Sequence, residues 1–336
     1  MNRQEDTRKV VKKMYRSVNG MLKQVHLFPE DASILVACSG GPDSMVLLDV
    51  LQALAIHRKT VWKIGVATMN HGIRPEGELE LDMVQQYCEE RNLPFWKTMR
   101  NIPAIAEERE QSLELVGRDE RYQWLLEVAQ REDFQYIAVA HHKDDQVETI
   151  LAHLIRGTGL QGLIGMDVVH HHFEIPIVRP LLGVKKVDIL EYARIKRIPY
   201  CIDSSNEDTM YTRNFIRHRI MPELVKLNPN IEGALCRLGA TAREDIAYID
   251  GESQRLFDEI VTKREDSYIV SRRMLRKQPL AIQRRLWQRL CAPFTLSWAH
   301  QEQLRHITFT GEPKSFHISD VTIEAQCDKI YIYCKN

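Results

Sequence analysis

Four short β-rich runs alternate with amphipathic stretches in the first part of the chain. The runs are ILVA at 34–37, WKIGVATM at 62–69, PFWKTM at 94–99 and QYIAVA at 135–140. Apolar residues at helical spacing predict helices between these runs at 44–56, 78–91 and 118–131, with another at 145–156. Strands that alternate with helices predict βαβ units, and therefore an α/β fold with a parallel sheet.

The alternation stops at an Asn-Pro-Asn sequence, 228–230, which predicts a domain boundary. Helices are predicted before it at 184–197 and 211–227, and after it at 231–262, 280–291 and 297–308, followed by the β-rich runs SFHIS, VTIEAQ and KIYIYC. We therefore predict a basic N-terminal helix in residues 1–30, a catalytic α/β domain in 31–228, and a mostly helical domain with a terminal β-hairpin in 229–336.

A glycine-rich loop joins the first predicted strand to the next helix. Its residues are Ser39, Gly40, Gly41, Pro42, Asp43 and Ser44. Glycines let the backbone approach a ligand closely, and the helix N-terminus adds unpaired N–H donors. The serine hydroxyls can bind phosphate oxygens and the Asp43 carboxylate can hold a cation, which predicts a phosphate site at the strand ends. A plain turn capped by Asp43 or Ser44 is the alternative.

The fourth predicted strand ends at His141 and His142, and two carboxylates follow on the next helix. Asp145 and Glu148 are three residues apart, so they lie on one helix face. At the strand end they face the glycine-rich loop and can hold Mg²⁺ or a cationic amine. The alternative is an acidic helix N-terminus with Asp144 as its N-cap.

Arginines accompany these motifs at three places. They are Arg74 with His71 after the second strand, Arg118 and Arg121 on one helix face, and Arg213, Asn214, Arg217 and Arg219 in the helix at 211–227. The fixed fork of guanidinium donors suits phosphate, and Asn214 and Tyr211 among the bases favour a nucleotide-facing surface. Surface ion pairs, such as Arg118 with Glu114 or Glu120, are the alternative.

Composition excludes other classes of protein. Charge balances at 46 basic and 46 acidic side chains, so only local basic clusters at 1–26 and 271–290 suggest a nucleic-acid partner. Seven scattered cysteines without a Cys-x-x-Cys pair argue against a disulfide framework, a zinc ribbon and an iron–sulfur site. No apolar run approaches a membrane span of about 18 residues and the N-terminus is charged, so we expect a cytoplasmic protein without membrane association.

Taken in order, several segments resemble one family, the bacterial tRNA(Ile)-lysidine synthetases. They are SGGPDS, NHGIRPE, GRDERY, AHHKDDQVET, RGTGLQGLIGM, RPLLGVKK and DSSNEDTMYTRNFIRHRIMPEL, within residues 33–230. SGGPDS by itself is similar to the PP-loop of the wider N-type ATP pyrophosphatases. One departure is Gly117, where the family usually has alanine.

The resemblance implies a two-step reaction on the first anticodon cytidine of the CAU-anticodon isoleucine tRNA. The C2 carbonyl oxygen attacks the α-phosphate of ATP and releases pyrophosphate. The ε-amine of free L-lysine then displaces AMP at C2 and gives lysidine. ATP and Mg²⁺ are the implied cofactors, and this tRNA and lysine the implied partners. The helical second domain makes a homodimer a further expectation.

Carried over position by position, the resemblance assigns residues to these steps. It implies that Ser39 to Ser44 bind ATP, with Asp43 on Mg²⁺. It implies that Asp145 and Glu148 hold lysine or metal, and that Arg118 stabilises charge on the phosphate or the base. The residues assigned to the tRNA are Arg213, Asn214, Arg217 and Arg219, with a structural role for Asn214 left open.

Other functions share part of this pattern. A PP-loop tRNA thiolase would adenylate a base and then add sulfur, generally with paired or catalytic cysteines. An ATP-binding sensor would release no pyrophosphate and would tolerate Asp145→Asn. A tRNA-binding chaperone would depend on the basic helices and not on the loop, so Asp43→Ala would leave it active.

Overall fold

The chain divides into two compact units, Met1–Arg237 and Leu238–Asn336. The structure, a computed structural model, describes residues 3–73, 77–171, 173–202, 212–265, 267–292, 294, 296–310, 314–318 and 321–334. The predicted site residues Arg74 and Tyr211 and the turn at 203–208 lie outside these ranges. Among the described residues, no helix is both long and apolar enough to cross a membrane.

The first unit begins with a helix and continues as alternating strands and helices. In order they are α1 (Arg3–Gln24), β1 (Ser33–Ala37), α2 (Pro42–Arg58), β2 (Lys63–Asn70), α3 (Gly77–Glu89), β3 (Phe95–Met99), α4 (Ile102–Glu108), α5 (Leu113–Arg131), β4 (Tyr136–Ala138), α6 (Lys143–Arg156), α7 (Leu160–Leu163), β5 (Val169–His170), β6 (Ile177–Val178), α8 (Lys186–Lys196), α9 (Thr212–Phe215), a π-helical segment (Ile216–Ile220) and α10 (Met221–Leu227). The next helix, α11 (Ile231–Ile260), begins directly after the Asn-Pro-Asn sequence.

In the described part of this unit, six strands form one sheet in the order β3-β2-β1-β4-β6-β5. All neighbouring pairs are parallel except β5 with β6. The chain builds outward from β1 to β3 and then returns to place β4 on the other side of β1. This reversal opens a crevice at the carboxyl ends of β1 and β4, where ligands of such sheets bind. The predicted α/β fold with a parallel sheet is confirmed.

Strand β1 is apolar from Ile34 to Ala37, because helices cover both faces of the sheet. Its residues alternate between two cores, since successive strand side chains point to opposite faces. Ile34 and Val36 pack with residues of α1, α2 and α8, whereas Leu35 packs with residues of α5. Both faces of the central strand are therefore packed, and the loop that follows β1 starts from a rigid position.

Several short elements of the first unit were not predicted. The stretch at 157–180 contains α7, β5 and β6, and α4 precedes α5. The predicted helix at 211–227 is interrupted by the π-helical segment within its described residues. Side chains of α6 pack against this segment around Ile150 and Ile216. The packing sets the arginines of the segment opposite the carboxylates of α6.

The second unit contains the rest of α11 and a sheet with three helices in its described residues. They are β7 (Val261–Arg264), β8 (Ser267–Ser271), α12 (Arg272–Arg276), α13 (Leu280–Leu290), α14 (Trp298–Phe309), β9 (Lys314–Ile318), β10 (Val321–Gln326) and β11 (Lys329–Cys334). The strands form an antiparallel sheet in the order β7-β8-β11-β10-β9. The predicted terminal hairpin is part of this larger sheet, because β8 pairs with β11 and β7 with β8. The helix predicted at 231–262 ends at Ile260, where β7 follows.

Candidate active site

Backbone conformation and one long-range hydrogen bond fix the loop between β1 and α2. Gly40 has a φ of +78°, a backbone conformation that favours glycine. Its carbonyl oxygen accepts a hydrogen bond from the Cys201 N–H at 2.9 Å. Gly41 is the N-cap of α2 and Pro42 follows as the first helical residue, so no side chain covers the N–H groups at this helix end. The N-cap of α2 is therefore Gly41, and neither Asp43 nor Ser44 takes that position.

The two serines of the loop have different surroundings. Ser44 is buried, its hydroxyl donates to the Gly41 carbonyl at 3.0 Å, and it accepts from the Ser39 N–H at 3.2 Å. The Ser39 hydroxyl lies 3.3 Å from the Ser44 hydroxyl. Ser44 therefore fixes the loop, whereas Ser39 lies nearer the surface and is the serine better placed for a ligand.

Asp43 pairs with a lysine that the sequence analysis does not assign to the site. The Lys186 ammonium donates to both carboxylate oxygens of Asp43, at 2.6 and 2.7 Å. The Lys186 N–H donates to the Asp144 carboxylate at 3.1 Å, so the start of α8 is tied to α6. Asp144 is therefore not the N-cap of α6, which is His142. A cation of the chain itself lies beside the predicted metal ligand.

His142 connects the glycine-rich loop to the carboxylates of α6. Its Nε2 lies 3.8 Å from an Asp43 oxygen and 3.5 Å from an Asp145 oxygen. Its backbone N–H donates to the same Asp145 oxygen at 2.9 Å. The imidazole is buried. The two motifs that the sequence analysis singles out therefore share one site at the ends of β1 and β4.

The carboxylates of α6 are paired with the arginines of the helical region 212–220. Arg217 donates to both oxygens of Glu148, at 2.6 and 2.9 Å, and reaches an Asp145 oxygen at 3.4 Å. The Arg213 guanidinium lies 3.4 Å from Glu148 and donates to the Thr149 hydroxyl at 3.1 Å. The Glu148 side chain is only 3% exposed, and a buried charge needs a partner of opposite sign. The two guanidinium groups supply that opposite charge.

The pKa values of Asp145 and Glu148 are shifted in opposite directions. Burial raises the pKa of Glu148, although Arg217 opposes that rise. Burial acts in the same sense on Asp145, but the charges of His142 and Arg213 together with the His142 N–H lower the pKa of Asp145 below its ordinary value. Neighbouring carboxyl groups with separated pKa values suit different roles, one as a permanent charge and the other as a proton acceptor.

A second basic group lies on the α5 side of the site. The Arg179 Nε lies 3.4 Å from the Nδ1 of His141, and burial lowers the pKa of His141 to about 3, so this imidazole is neutral. The guanidinium groups of Arg118 and Arg121 lie 5.3 and 5.5 Å from the centre of the Tyr122 ring. Glu120 pairs instead with Arg109, at 2.7 Å, so the ion pair considered for Arg118 with that residue is not formed.

Two further predicted residues lie in the region 212–220. Asn214 is half-buried and Arg219 is exposed on the same helical region. The residues that the sequence analysis leaves out, Lys186 and Arg179, both come from the segment RPLLGVKK that follows β6. The signal that points to them is position, because this segment leaves the sheet at the same edge as the glycine-rich loop.

The cysteines near the loop are not prepared as nucleophiles. Cys38 is buried and burial raises its pKa. Cys201 is half-buried, and desolvation raises the pKa of its thiol as well. Within the described ranges, no three or more His, Cys, Asp and Glu side chains converge in a way that could hold a metal ion.

Comparison with known proteins gives consistent relatives. The PP-loop domain family matches residues 9–224. The tRNA(Ile)-lysidine synthase of Thermotoga sp. (strain RQ2) is 40% identical over 212 residues, which cover 63% of this chain and 50% of that protein. The tRNA(Ile)-lysidine synthase of Caldanaerobacter subterraneus subsp. tengcongensis is 32% identical over 327 residues, which cover 95% of this chain and 68% of that protein.

A solved structure shares the fold. The U34-tRNA thiolase NcsA from Methanococcus maripaludis superimposes with a TM-score of 0.59 at 19% identity, over 70% of this chain and 80% of that one. The chain spans about half the length of the Thermotoga relative. The matching domain and the extent of the Caldanaerobacter alignment place the chain in one family. The chain belongs to the tRNA(Ile)-lysidine synthase family of PP-loop proteins.

Proposed function

We propose that the chain ligates free L-lysine to C2 of the first anticodon cytidine of the CAU-anticodon isoleucine tRNA, with ATP as the activating substrate. The observation that carries the proposal is the position of His142, within 4 Å of both Asp43 and Asp145. It joins a phosphate-binding loop to a pair of carboxylates suited to an amine. Such a site can activate the C2 carbonyl oxygen of the cytidine and then direct the lysine nitrogen to C2.

In the first step, the C2 carbonyl oxygen forms a bond to the α-phosphorus of ATP, and the bond from that phosphorus to the bridging oxygen breaks. Pyrophosphate leaves, so charge builds on the β- and γ-phosphates. The N–H groups at the start of α2, the Ser39 hydroxyl and the Lys186 ammonium bind this charge. The loop residues that the sequence assigns to ATP, Ser39 to Ser44, take this role.

Asp43 would hold Mg²⁺ in this step. The donor set fits, because Mg²⁺ at nucleotide sites takes one or two carboxylates and completes its shell with phosphate oxygens and water. When bound, the ion neutralises charge on the leaving pyrophosphate. Lys186 now pairs with the same carboxylate at 2.6 Å and would turn to the phosphates.

In the second step, the ε-nitrogen of lysine bonds to C2, the C2–O bond breaks and AMP leaves with the oxygen. The lysine ammonium must lose a proton first, since its reference pKa is near 10.4. Asp145, with a lowered pKa, binds the cation, and Glu148, with a raised pKa, accepts the proton. Arg118 and the guanidinium groups beside it stabilise charge on the phosphate or the activated base.

The arginines of the region 212–220 bind the tRNA backbone in this proposal. They are Arg213, Arg217 and Arg219, with Asn214 on the same surface. Arg217 would exchange the Glu148 carboxylate for an RNA phosphate, since both fit the planar pair of guanidinium donors.

We also propose that the reaction takes place in the cytoplasm, where its substrates meet. We propose further that the enzyme is a homodimer, which light scattering on the purified chain would test.

Nucleoside analysis tests the reaction. The protein is incubated with an unmodified transcript of the tRNA, ATP, Mg²⁺ and isotopically labelled lysine, and the digested RNA is weighed by mass spectrometry. We expect one cytidine heavier by a labelled lysine less water, and none in the Asp43→Ala variant. AMP and pyrophosphate released without that product, together with a thiolated base when a sulfur donor is added, would support a tRNA thiolase instead.

A further inference from the structure

A cleft of about 600 Å³ lies between α5 and the strands β5 and β6. One wall is α5, with Arg118, Tyr122 and Leu126, and the other is formed by Phe173 and Ile177. Its volume lies within the range of small-ligand sites, about 300–1,000 Å³. Among the residues that line it, Arg118 has a role in the steps above, and Arg179 contacts a histidine of the site. The steps above assign no role to the other lining residues.

Arg179 connects the cleft to one of the two histidines that follow β4. Arg179 lines the cleft, and the Arg179 Nε is 3.4 Å from the Nδ1 of His141. Asp145 is near enough for its charge to oppose the lowering of the pKa of that imidazole by burial. A ligand in the cleft would therefore lie next to whatever occupies the carboxylate pair. An RNA strand that places one base at the carboxylates would bring its neighbouring nucleotide to this opening.

The walls of the cleft have the chemistry that binds an unstacked nucleobase. Tyr122 and Phe173 are stacked at 5.7 Å with an interplanar angle of 22°, so the buried Tyr122 ring supports the half-buried Phe173 ring from one side. The aromatic surface of the cleft is therefore mainly the Phe173 ring. Arg118 is exposed, and its guanidinium lies 5.3 Å from the Tyr122 ring. Aromatic faces beside guanidinium groups are the usual platform for single-stranded RNA, and Asp119 and Gln123 add polar groups for a base edge.

We propose that this cleft binds the anticodon-loop nucleotide adjacent to the reacting cytidine. Its base packs on the Phe173 side of the aromatic surface, and its phosphate pairs with Arg118. The inference rests on the proposed function, because it takes the RNA substrate from there. It adds a specificity subsite in which a second nucleotide is held while the first reacts, and it gives Arg118, beside the role proposed above, a contact with the phosphate of that neighbour.

A double-mutant cycle between the protein and the RNA tests the subsite. An anticodon stem-loop is prepared intact and with an abasic residue on either side of the reacting cytidine, and binding is measured by fluorescence anisotropy. Stacking of one base is worth about 1–3 kcal/mol, so one abasic residue should weaken binding to the wild-type chain by about fivefold or more. In Phe173→Leu the same abasic residue should cost less than about twofold. Phe95→Leu, a half-buried phenylalanine of β3 at the opposite edge of the sheet, should keep the full loss.

A salt series gives a second measurement that does not depend on packing. Arg118→Gln changes an exposed side chain and should lower the slope of log affinity against log salt by about 0.7, the value for one single-strand phosphate contact. An unchanged slope, or an abasic loss that is equal in wild type and Phe173→Leu, would overturn the subsite. Lysidine formed on the stem-loop without this coupling would leave the proposed function standing. Coupling on the stem-loop, with no lysidine formed on the full tRNA transcript, would overturn the reaction and not the subsite.

Discussion

Two acidic residues of the site are paired with basic residues of the same chain. Asp43 lies against Lys186 and Glu148 against Arg217. The sequence predicts the acids, because Asp43 stands in a recognisable loop and the three-residue spacing of Asp145 and Glu148 places them on one helix face. It does not predict Lys186, since that contact spans 143 residues and depends on where β6 leaves the sheet.

Replacement of Lys186 by methionine should weaken ATP binding and leave AMP binding unchanged. In the proposed reaction this ammonium binds the β- and γ-phosphates, which AMP lacks. A hydrogen bond to a charged group is worth about 1.5–3 kcal/mol, so we expect a loss of about tenfold or more in calorimetric titration. Lys185→Met is the matched control, because that ammonium pairs with Glu232 at 2.7 Å. Equal losses in both variants would contradict the assignment.

Glu148→Gln should separate the two chemical steps. The amide keeps the shape of the side chain but cannot take a proton from the lysine ammonium. We expect pyrophosphate release with tRNA to stay within about threefold, and lysidine formation to fall by about a hundredfold or more. Both products are measured in the same reaction, with Glu107→Gln, an exposed acid of α4, as the control. A parallel fall in both products would place Glu148 in the first step.

Among the secondary-structure elements, the long ones follow from periodicity and the short ones do not. The strands β1 to β4 and the helices between them lie within a few residues of the prediction, except that α5 begins at Leu113. The strands β5 and β6 have two residues each, too few to show alternation, and they pair only because β4 offers an edge. The helix predicted at 231–262 includes the first residues of β7. The start of this strand cannot be predicted from the sequence, because it depends on pairing with β8.

Gly40→Ala tests whether the loop conformation itself binds ATP. Alanine at a φ of +78° costs about 1–2 kcal/mol, and Gly157 has the same φ with open space around it. Both alanine variants should lose about 1 kcal/mol in denaturant unfolding, but only Gly40→Ala should weaken ATP binding. An ATP affinity that is unchanged in Gly40→Ala would show that the loop does not hold the phosphates.

For the whole molecule, the strand order brings distant parts of the chain together. The loop after β1 and the histidines after β4 are about a hundred residues apart in sequence, yet β1 and β4 are neighbours in the sheet. The parallel α/β class and the edge of the sheet that carries the site could be predicted from the sequence. The antiparallel sheet of the second unit could not, because it depends on long-range pairing of β8 with β11.

The neutral state of His141 should make the stability of the chain depend on pH. In the native state the pKa is lowered to about 3, whereas an unfolded histidine titrates near 6.5. Between these values the unfolded chain binds the additional proton, so the free energy of unfolding falls as the pH falls. Urea unfolding at pH 7 and pH 5 should show a loss larger by about 2 kcal/mol in wild type than in His141→Gln. Equal losses would mean that the imidazole is charged in the native state.

The contact between Arg217 and Glu148 has a consequence for how small cations compete. An amine arriving from solution meets a position that a tethered guanidinium already occupies, so its apparent affinity is reduced by the fraction of time for which the pair is open. Polyamines and free basic amino acids therefore gain little occupancy of the empty enzyme. A nucleic acid that draws the guanidinium away removes this penalty. The single ion pair between Arg217 and Glu148 would therefore favour binding of the nucleic acid before the amine.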